Sequence, residues 1–362
     1  MNVKNVGLEI MMGSLAAPQS DQEEDMLGTC AGSVSLFDLN LSATPAANHL
    51  SFGHHPFALS SHAMKAFLLA LCVTLSAQTR PDASSQAVAS QKAKLDSLWK
   101  KMTDRLESID RSLAGVMGVA VLDLTDGREY HLRGDEIFPT ASSIKIAILA
   151  ELCRQGKLDD LYTLDAKDLV AESIVLEWLT PGVSRITNRD LATFMTTVSD
   201  NGATNVLIGR VGMDNVNTLM EKLGLAQTRL RRKMIDLPAA RAGRENTSTP
   251  REMVRLLEAL YRNRIEGSME ALRILKLPKA DHFPKGLPKG ITIANKPGSL
   301  EGVRTDSAII YAPGRPVILS VMTAYLSDDE AGEVALAKSA AAVYDCFRIM
   351  GSASTYGRAI PQ

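Results

Sequence analysis

The feature that most limits what this chain can fold into is where its periodicities change. A short β-rich stretch comes first, a long helical stretch follows, and a second β-rich stretch closes the sequence. Val116 to Leu124, with the turn Thr125-Asp126-Gly127 and then Arg128 to Leu132, reads as a hairpin. From Ile137 to about Leu275 the helical period dominates, broken at Gly156, Pro181-Gly182, Gly224 and Pro250. After Pro284, Ile291 to Asn295, Val303 to Tyr311 and Pro316 to Tyr325 are rich in β-branched residues and separated by Gly or Pro-Gly turns. Strands at both ends of one chain bury an apolar face most economically by joining one sheet. The expected fold is therefore α+β: an antiparallel five-stranded sheet flanked by terminal helices, with an inserted all-helical subdomain and a cleft where the two meet.

The flanking helices are predicted over Ser84 to Leu113, where Leu95, Leu98, Trp99, Met102, Leu106 and Ile109 recur at helical spacing, and over Glu330 to Met350. The Ala- and Ser-rich piece from Thr79 to Gln91 reads as a linker. Upstream, Met64-Lys65, the apolar run from Ala66 to Leu75 and small residues up to Ala77 read as a secretory signal peptide over 64–77. The run is too short to span a bilayer, which takes roughly 20 residues. Leu71 is too bulky to precede a lipid-modified Cys72. Residues 1–63, with no sustained period, read as a non-native or disordered extension. The catalytic domain is expected over 78–362, with the sheet subdomain at 85–136 and 286–350 and the helical subdomain at 137–285. The chain is expected to be exported, periplasmic or secreted, and to act as a monomer.

A net charge of −1 gives no basic excess for nucleic acid and no acidic tail. Cys153 and Cys346 sit far apart in apolar helical patterns and read as buried free thiols. His131 and His282 have no ligand neighbours at metal-binding spacing, so no metal or cofactor is expected and both histidines read as structural or solvated.

Three short patterns carry chemistry. Ser142-Ser143-Ile144-Lys145 stands at the head of an apolar helical run, Ser199-Asp200-Asn201 in a turn between helices, and Lys296-Pro297-Gly298-Ser299 at a strand end. Each alone is ordinary: a cap and a surface lysine, an N-cap cluster, a turn signal. Together they describe a nucleophilic serine served by lysine, since no histidine pairing offers a Ser-His-Asp triad. Lys145 lies one turn from Ser142 on the same helix face, whereas Ile146 follows Ser143 at that spacing, so Ser142 is the nucleophile. Lys296 in the same cleft would depress the Lys145 pKa and fit it as a base. The N–H groups of Ser142 and Ser299 would form an oxyanion hole.

These patterns resemble the serine penicillin-recognising enzymes, and their surroundings resemble the class A β-lactamases from about Gln91 to Met350. Phe138-Pro139-Thr140-Ala141-Ser142-Ser143-Ile144-Lys145, Val198 to Asn205 and Thr247-Ser248-Thr249-Pro250 carry the resemblance. It implies β-lactam hydrolysis through a Ser142 acyl-enzyme, Lys145 as base and Ser199 as proton relay. It also implies Asn201 on the substrate's side-chain amide, and Lys296 and Ser299 on its carboxylate, with Arg304 a weaker carboxylate candidate. The substrate would be a small β-lactam or a peptidoglycan-like peptide or ester. The family releases its acyl-enzyme with a glutamate; here Met234 takes that place, and Pro238 replaces a companion asparagine. Asp236 is the nearest carboxylate able to replace the missing base. Asn246 replaces the acid that ties this loop to Arg232, a task open to Glu245, and Pro297 replaces a hydroxyl residue.

Overall fold

The computed structural model describes residues 83–360; the expected signal peptide and N-terminal extension lie outside the described residues. Helix α1 (Ala83–Ser112) leads into the hairpin β1 (Val116–Asp123) and β2 (Glu129–Leu132). After the short strand β3 (Phe138–Pro139), a 3-10 turn (Ala141–Ile144) runs into α2 (Lys145–Arg154). The short strands β4 (Leu161–Thr163) and β5 (Arg185–Thr187) pair with each other, and α3 (Asn188–Thr197), α4 (Asn201–Val211) and α5 (Met213–Lys222) follow. The five-residue α6 (Leu237–Arg241), β6 (Thr247–Ser248), α7 (Pro250–Tyr261) and α8 (Ser268–Leu275) complete the helical stretch. Strands β7 (Ile293–Leu300), β8 (Val303–Ile310) and β9 (Val317–Ala324) then precede α9 (Asp329–Gly351).

The split sheet expected from the sequence is present. Its order is β2-β1-β9-β8-β7 with every neighbouring pair antiparallel, so the N-terminal hairpin docks beside the last strand. Alternation along each strand sends side chains to two separate cores. Met117, Val119, Val121, Ala308, Ile310, Leu319 and Val321 pack under α1 and α9, where Trp99 meets Phe347 edge-on at 6.0 Å. Ala120, Leu122, Ile309, Ile318 and Met322 face the other way, into the core shared with α2 to α5, α7 and α8. A sheet covered on both faces explains why its strands read as nearly unbroken apolar runs.

Two boundaries differ from expectation. The piece read as a linker is helical from Ala83, because alanine is the strongest helix former and Leu95 and Leu98 seat the turns that follow against the core. The strand expected to stop at Asn295 continues through Lys-Pro-Gly to Leu300. Proline is tolerated there because β7 is the sheet's edge. Cys153 and Cys346 are buried and free, as expected.

Candidate active site

The 3-10 turn carrying Ser142 is pressed against strand β7. A Cβ on Gly298 would lie 2.6 Å from the Ser142 nitrogen and 2.7 Å from Thr305 Oγ1, so only glycine permits the approach. Ser143, the serine set aside in the sequence, turns away from the cleft and fastens this contact. Its buried hydroxyl lies 3.0 Å from the Lys296 carbonyl, to which it donates, and 2.7 Å from Thr305 Oγ1, which itself donates to the Thr140 carbonyl.

Ser142 itself is half-buried and receives a hydrogen bond of 2.9 Å from Ser199 Oγ. Lys145, 1% exposed, donates to Ser199 Oγ at 2.9 Å, to the Ser199 carbonyl at 2.7 Å and to Asn201 Oδ1 at 3.0 Å. The hydrogen-bonded link from the Lys145 amine to the Ser142 hydroxyl therefore runs through Ser199, which is more than the sequence spacing expressed. Lys296 reaches the same hydroxyl at 3.2 Å and its other bond goes to the Pro297 carbonyl. Ser142, Lys145, Ser199, Asn201 and Lys296 thus form one connected network.

Burial sets the protonation of this network. It is the largest cause holding the Lys145 amine well below its ordinary value, and the Lys296 charge adds to it, while Asp200 and Glu172 oppose. Lys296 is lowered to about 7, again chiefly by burial, with Asp306 behind the strand opposing. Asp306, which accepts from Phe283 N and Asn295 Nδ2, is raised to about 7 by the same burial. Asp200 has the structural role its position suggested. It caps α4 through Ala203 N and holds the N–H groups of Val175 and Leu176, fixing the 170–176 loop on the Ser-Asp-Asn turn.

The cleft is a cavity of about 250 Å³ lined by Ser142, Asn201 and Ser299 on one side and by Arg232, Met234 and Ile235 on the other. A hollow of about 550 Å³ elsewhere is larger, but its arginines are ion-paired: Arg251 with Asp135, Arg255 with Glu129, Arg264 with Glu258. It holds no nucleophile. Non-glycine residues with left-handed backbone concentrate at the smaller cleft: Ala141, Glu172 and Ile235 line it, and Ser199 joins its network. Each such residue costs on the order of 1–3 kcal/mol, so the fold holds this site against backbone strain.

The loop that lacks the family glutamate is nonetheless well tied. Asn205 accepts from Met234 N at 2.7 Å and donates to the Met234 carbonyl at 3.1 Å, placing the buried thioether in the cavity wall. Glu245 grips Arg232 with both carboxylate oxygens, the Nη2 contact at 3.2 Å. Asn246 holds the backbone of Arg231 and Arg232. Asp236 has a structural task. Its carboxylate caps α6 by accepting from Ala239 N, and it is absent from the cavity lining that includes both its neighbours. Arg304 also departs from the cleft, since its guanidinium pairs with Asp329 and Glu333 of α9.

Two residues given no catalytic or binding role in the sequence stand at the site. His282, buried with its pKa lowered by burial, places Nε2 3.3 Å from both the Gly298 carbonyl and Ser299 Oγ. Glu172 lines the cavity and accepts from Asn201 Nδ2 at 2.9 Å. Neither residue has a motif around it; the positive φ each adopts is uncommon outside glycine and invisible in a sequence.

The fold agrees with the relatives found by comparison. A family described as the beta-lactamase enzyme family matches residues 98–347. A beta-lactamase of Streptomyces albus G is 30% identical over 66% of this chain and 82% of its own length, and the beta-lactamase SME-1 of Serratia marcescens is 28% identical over 73% and 90%. Among solved structures, an ancestral class A beta-lactamase matches with a TM-score of 0.63 at 28% identity, covering 68% of this chain and all of its own. A beta-lactamase from Sphaerobacter thermophilus matches with a TM-score of 0.62 at 30% identity, covering 68% and 96%. With a split sheet, an inserted helical region and a serine–lysine network at their junction, matched over more than two-thirds of its length, the chain belongs to the beta-lactamase enzyme family.

Proposed function

We propose that the protein is a serine hydrolase that opens β-lactams through an acyl-enzyme on Ser142. The observation that carries this reading is the unbroken path of hydrogen bonds from Lys145 through Ser199 to Ser142, beside a strand whose Gly298 lets backbone and nucleophile meet. For attack, Lys145 gives up a proton and the two hydroxyl hydrogens turn round, Ser142 donating to Ser199 and Ser199 to the Lys145 lone pair; the Ser142 proton then passes by way of Ser199 as Oγ attacks the lactam carbonyl. The developing oxyanion is held by the N–H groups of Ser142 and Ser299. The C–N bond then breaks, and Ser199 returns a proton to the departing nitrogen. Lys296 and the exposed Ser299 hold the substrate carboxylate, and Asn201 meets its side-chain amide.

Release of the acyl group needs a water and something to take its proton. Met234 cannot do so, and Asp236 spends its carboxylate on a helix cap. The reading therefore includes a long-lived acyl-enzyme. Export under a signal peptide over residues 64–77, ahead of a catalytic domain over 78–362, is part of the same proposal. Among the described residues no helix is long and apolar enough to cross a membrane.

The decisive experiment incubates the protein with a chromogenic cephalosporin and follows colour and protein mass together. Colour that continues beyond one equivalent, with a Ser142 adduct, meets the expectation of turnover. One equivalent of colour with a persistent adduct makes the protein a single-turnover binder. Ester or peptide cleavage with neither colour nor adduct would replace the reading by a peptidoglycan-type hydrolase.

A further inference from the structure

Glu172 is held where few glutamates are found. Its backbone has φ +59, its carbonyl accepts from Asn201 N at 3.1 Å, and its carboxylate accepts from Asn201 Nδ2 at 2.9 Å. The flanking loop cannot easily slide away. Asp200 grips it at Val175 and Leu176, and a Cβ on Gly202 would strike Ser173 Oγ at 2.6 Å and the Asp168 carbonyl at 2.7 Å. The Ser-Asp-Asn turn thus positions a carboxylate over the amide that would greet the substrate's side chain.

That carboxylate makes no ion pair among the described residues, and neither does Glu301, which lines the same cavity; Glu245, the third acid there, is spent on Arg232. Lys296 stands by Ser199, and Glu172 by the far nitrogen of Asn201. The cleft therefore offers a cation for one part of a ligand and, for another, an exposed carboxylate that has no ion-pair partner among the described residues and feels only the buried Lys145 amine.

Building on the Ser142 acyl-enzyme reading, we propose that Glu172 is the specificity-determining residue of the cleft. It covers the Asn201 amide in the free protein, yields it to the substrate's side-chain carbonyl, and then pairs with an ammonium group on that side chain. Preferred acyl donors accordingly carry an amine next to the acyl amide in addition to the carboxylate met by Lys296. Two sources share this chemistry, amino-substituted β-lactams and peptides with a free amine. An acyl side chain bearing a carboxylate in that place is disfavoured by like-charge repulsion.

The test measures the rate of Ser142 acylation by intact mass for two matched pairs. One is ampicillin against benzylpenicillin, which differ only by the α-amino group; the other is an aminoacyl-D-alanyl-D-alanine peptide with the α-amine beside its acyl amide free or acetylated. The amine-bearing member of at least one pair should acylate roughly tenfold faster, a modest factor because Glu172 is exposed and screened. Which pair responds identifies the source. In Glu172→Gln, whose amide oxygen can still accept from Asn201, the preference should fall to about one. Acylation without preference in the unaltered protein overturns the inference while leaving the Ser142 reading intact. A preference that survives Glu172→Gln overturns it as well, and so does a variant that lengthens the adduct lifetime equally for both penicillins. If no compound labels Ser142, both readings fall.

Discussion

Ser199 Oγ lies 2.9 Å from Ser142 Oγ, and the same oxygen is 2.9 Å from Lys145 Nζ. The proposed nucleophile and its proposed base are thus connected through a hydroxyl contributed by a different helix junction, and Lys296 approaches that hydroxyl as well. Removing Ser199 should therefore do more than remove a contact. Ser199→Ala is expected to slow acylation by on the order of 10²-fold or more, in the range of a lost proton-transfer group. Stopped-flow consumption of a chromogenic cephalosporin measures it, and an unchanged rate would show that Lys145 serves Ser142 directly. Ser142→Ala should abolish the mass adduct entirely.

Release should respond to chemistry restored at position 234. Met234→Glu puts a carboxylate into the cavity wall held by Asn205, and is expected to shorten the adduct lifetime by roughly 10²-fold or more. Time-resolved mass spectrometry of the acylated protein reads the effect directly. Asp236→Asn is the matching control: asparagine caps a helix as well as aspartate, so both melting temperature and release rate should stay unchanged. Slower release in that variant would restore Asp236 as the base.

The affinity for a carboxylate-bearing substrate should depend on pH through Lys296. Burial lowers this amine to about 7, so below that pH it is an ammonium and above it increasingly neutral. KM for penicillins should rise with pH through the neutral range, with a midpoint displaced upward in the complex because a bound carboxylate favours the charged form. Steady-state or single-turnover titrations between about pH 6 and 9 cover the ordinary shifted range for such a group. A flat KM would mean that Lys296 does not meet the carboxylate.

Gly298→Ala should disable the site sterically. The added methyl would fall 2.6 Å from the Ser142 nitrogen, so the turn or the strand must retreat. A loss of about 1–3 kcal/mol in stability is expected from such overpacking, together with loss of acylation. Chemical denaturation and mass labelling report the two separately, and a variant acylated at the original rate would show that the close approach has slack.

The sheet was legible because β-branched runs and Gly or Pro turns are local signals, and the split arrangement follows from burying both sets of strands. The serine, lysine and asparagine of the site were legible because each stands in a short pattern. Legibility stopped where a residue's role depends on its backbone or on a neighbour distant in sequence. Glu172 and His282 reach the cleft through positive φ values, and Asp236 looked free for chemistry until α6 was seen to begin at the next residue. Lys-Pro-Gly read as a strand end because proline usually ends a strand, and only the sheet order shows that β7 has one side with no partner strand.

That bare flank has a consequence for solubility. An edge strand of eight residues would ordinarily invite a strand from a second molecule and seed edge-to-edge assembly. Here Pro297 deletes one backbone donor and the Ser142 turn sits against Gly298. The contact that seats Ser142 in the cleft also closes this edge of the sheet to a neighbouring molecule.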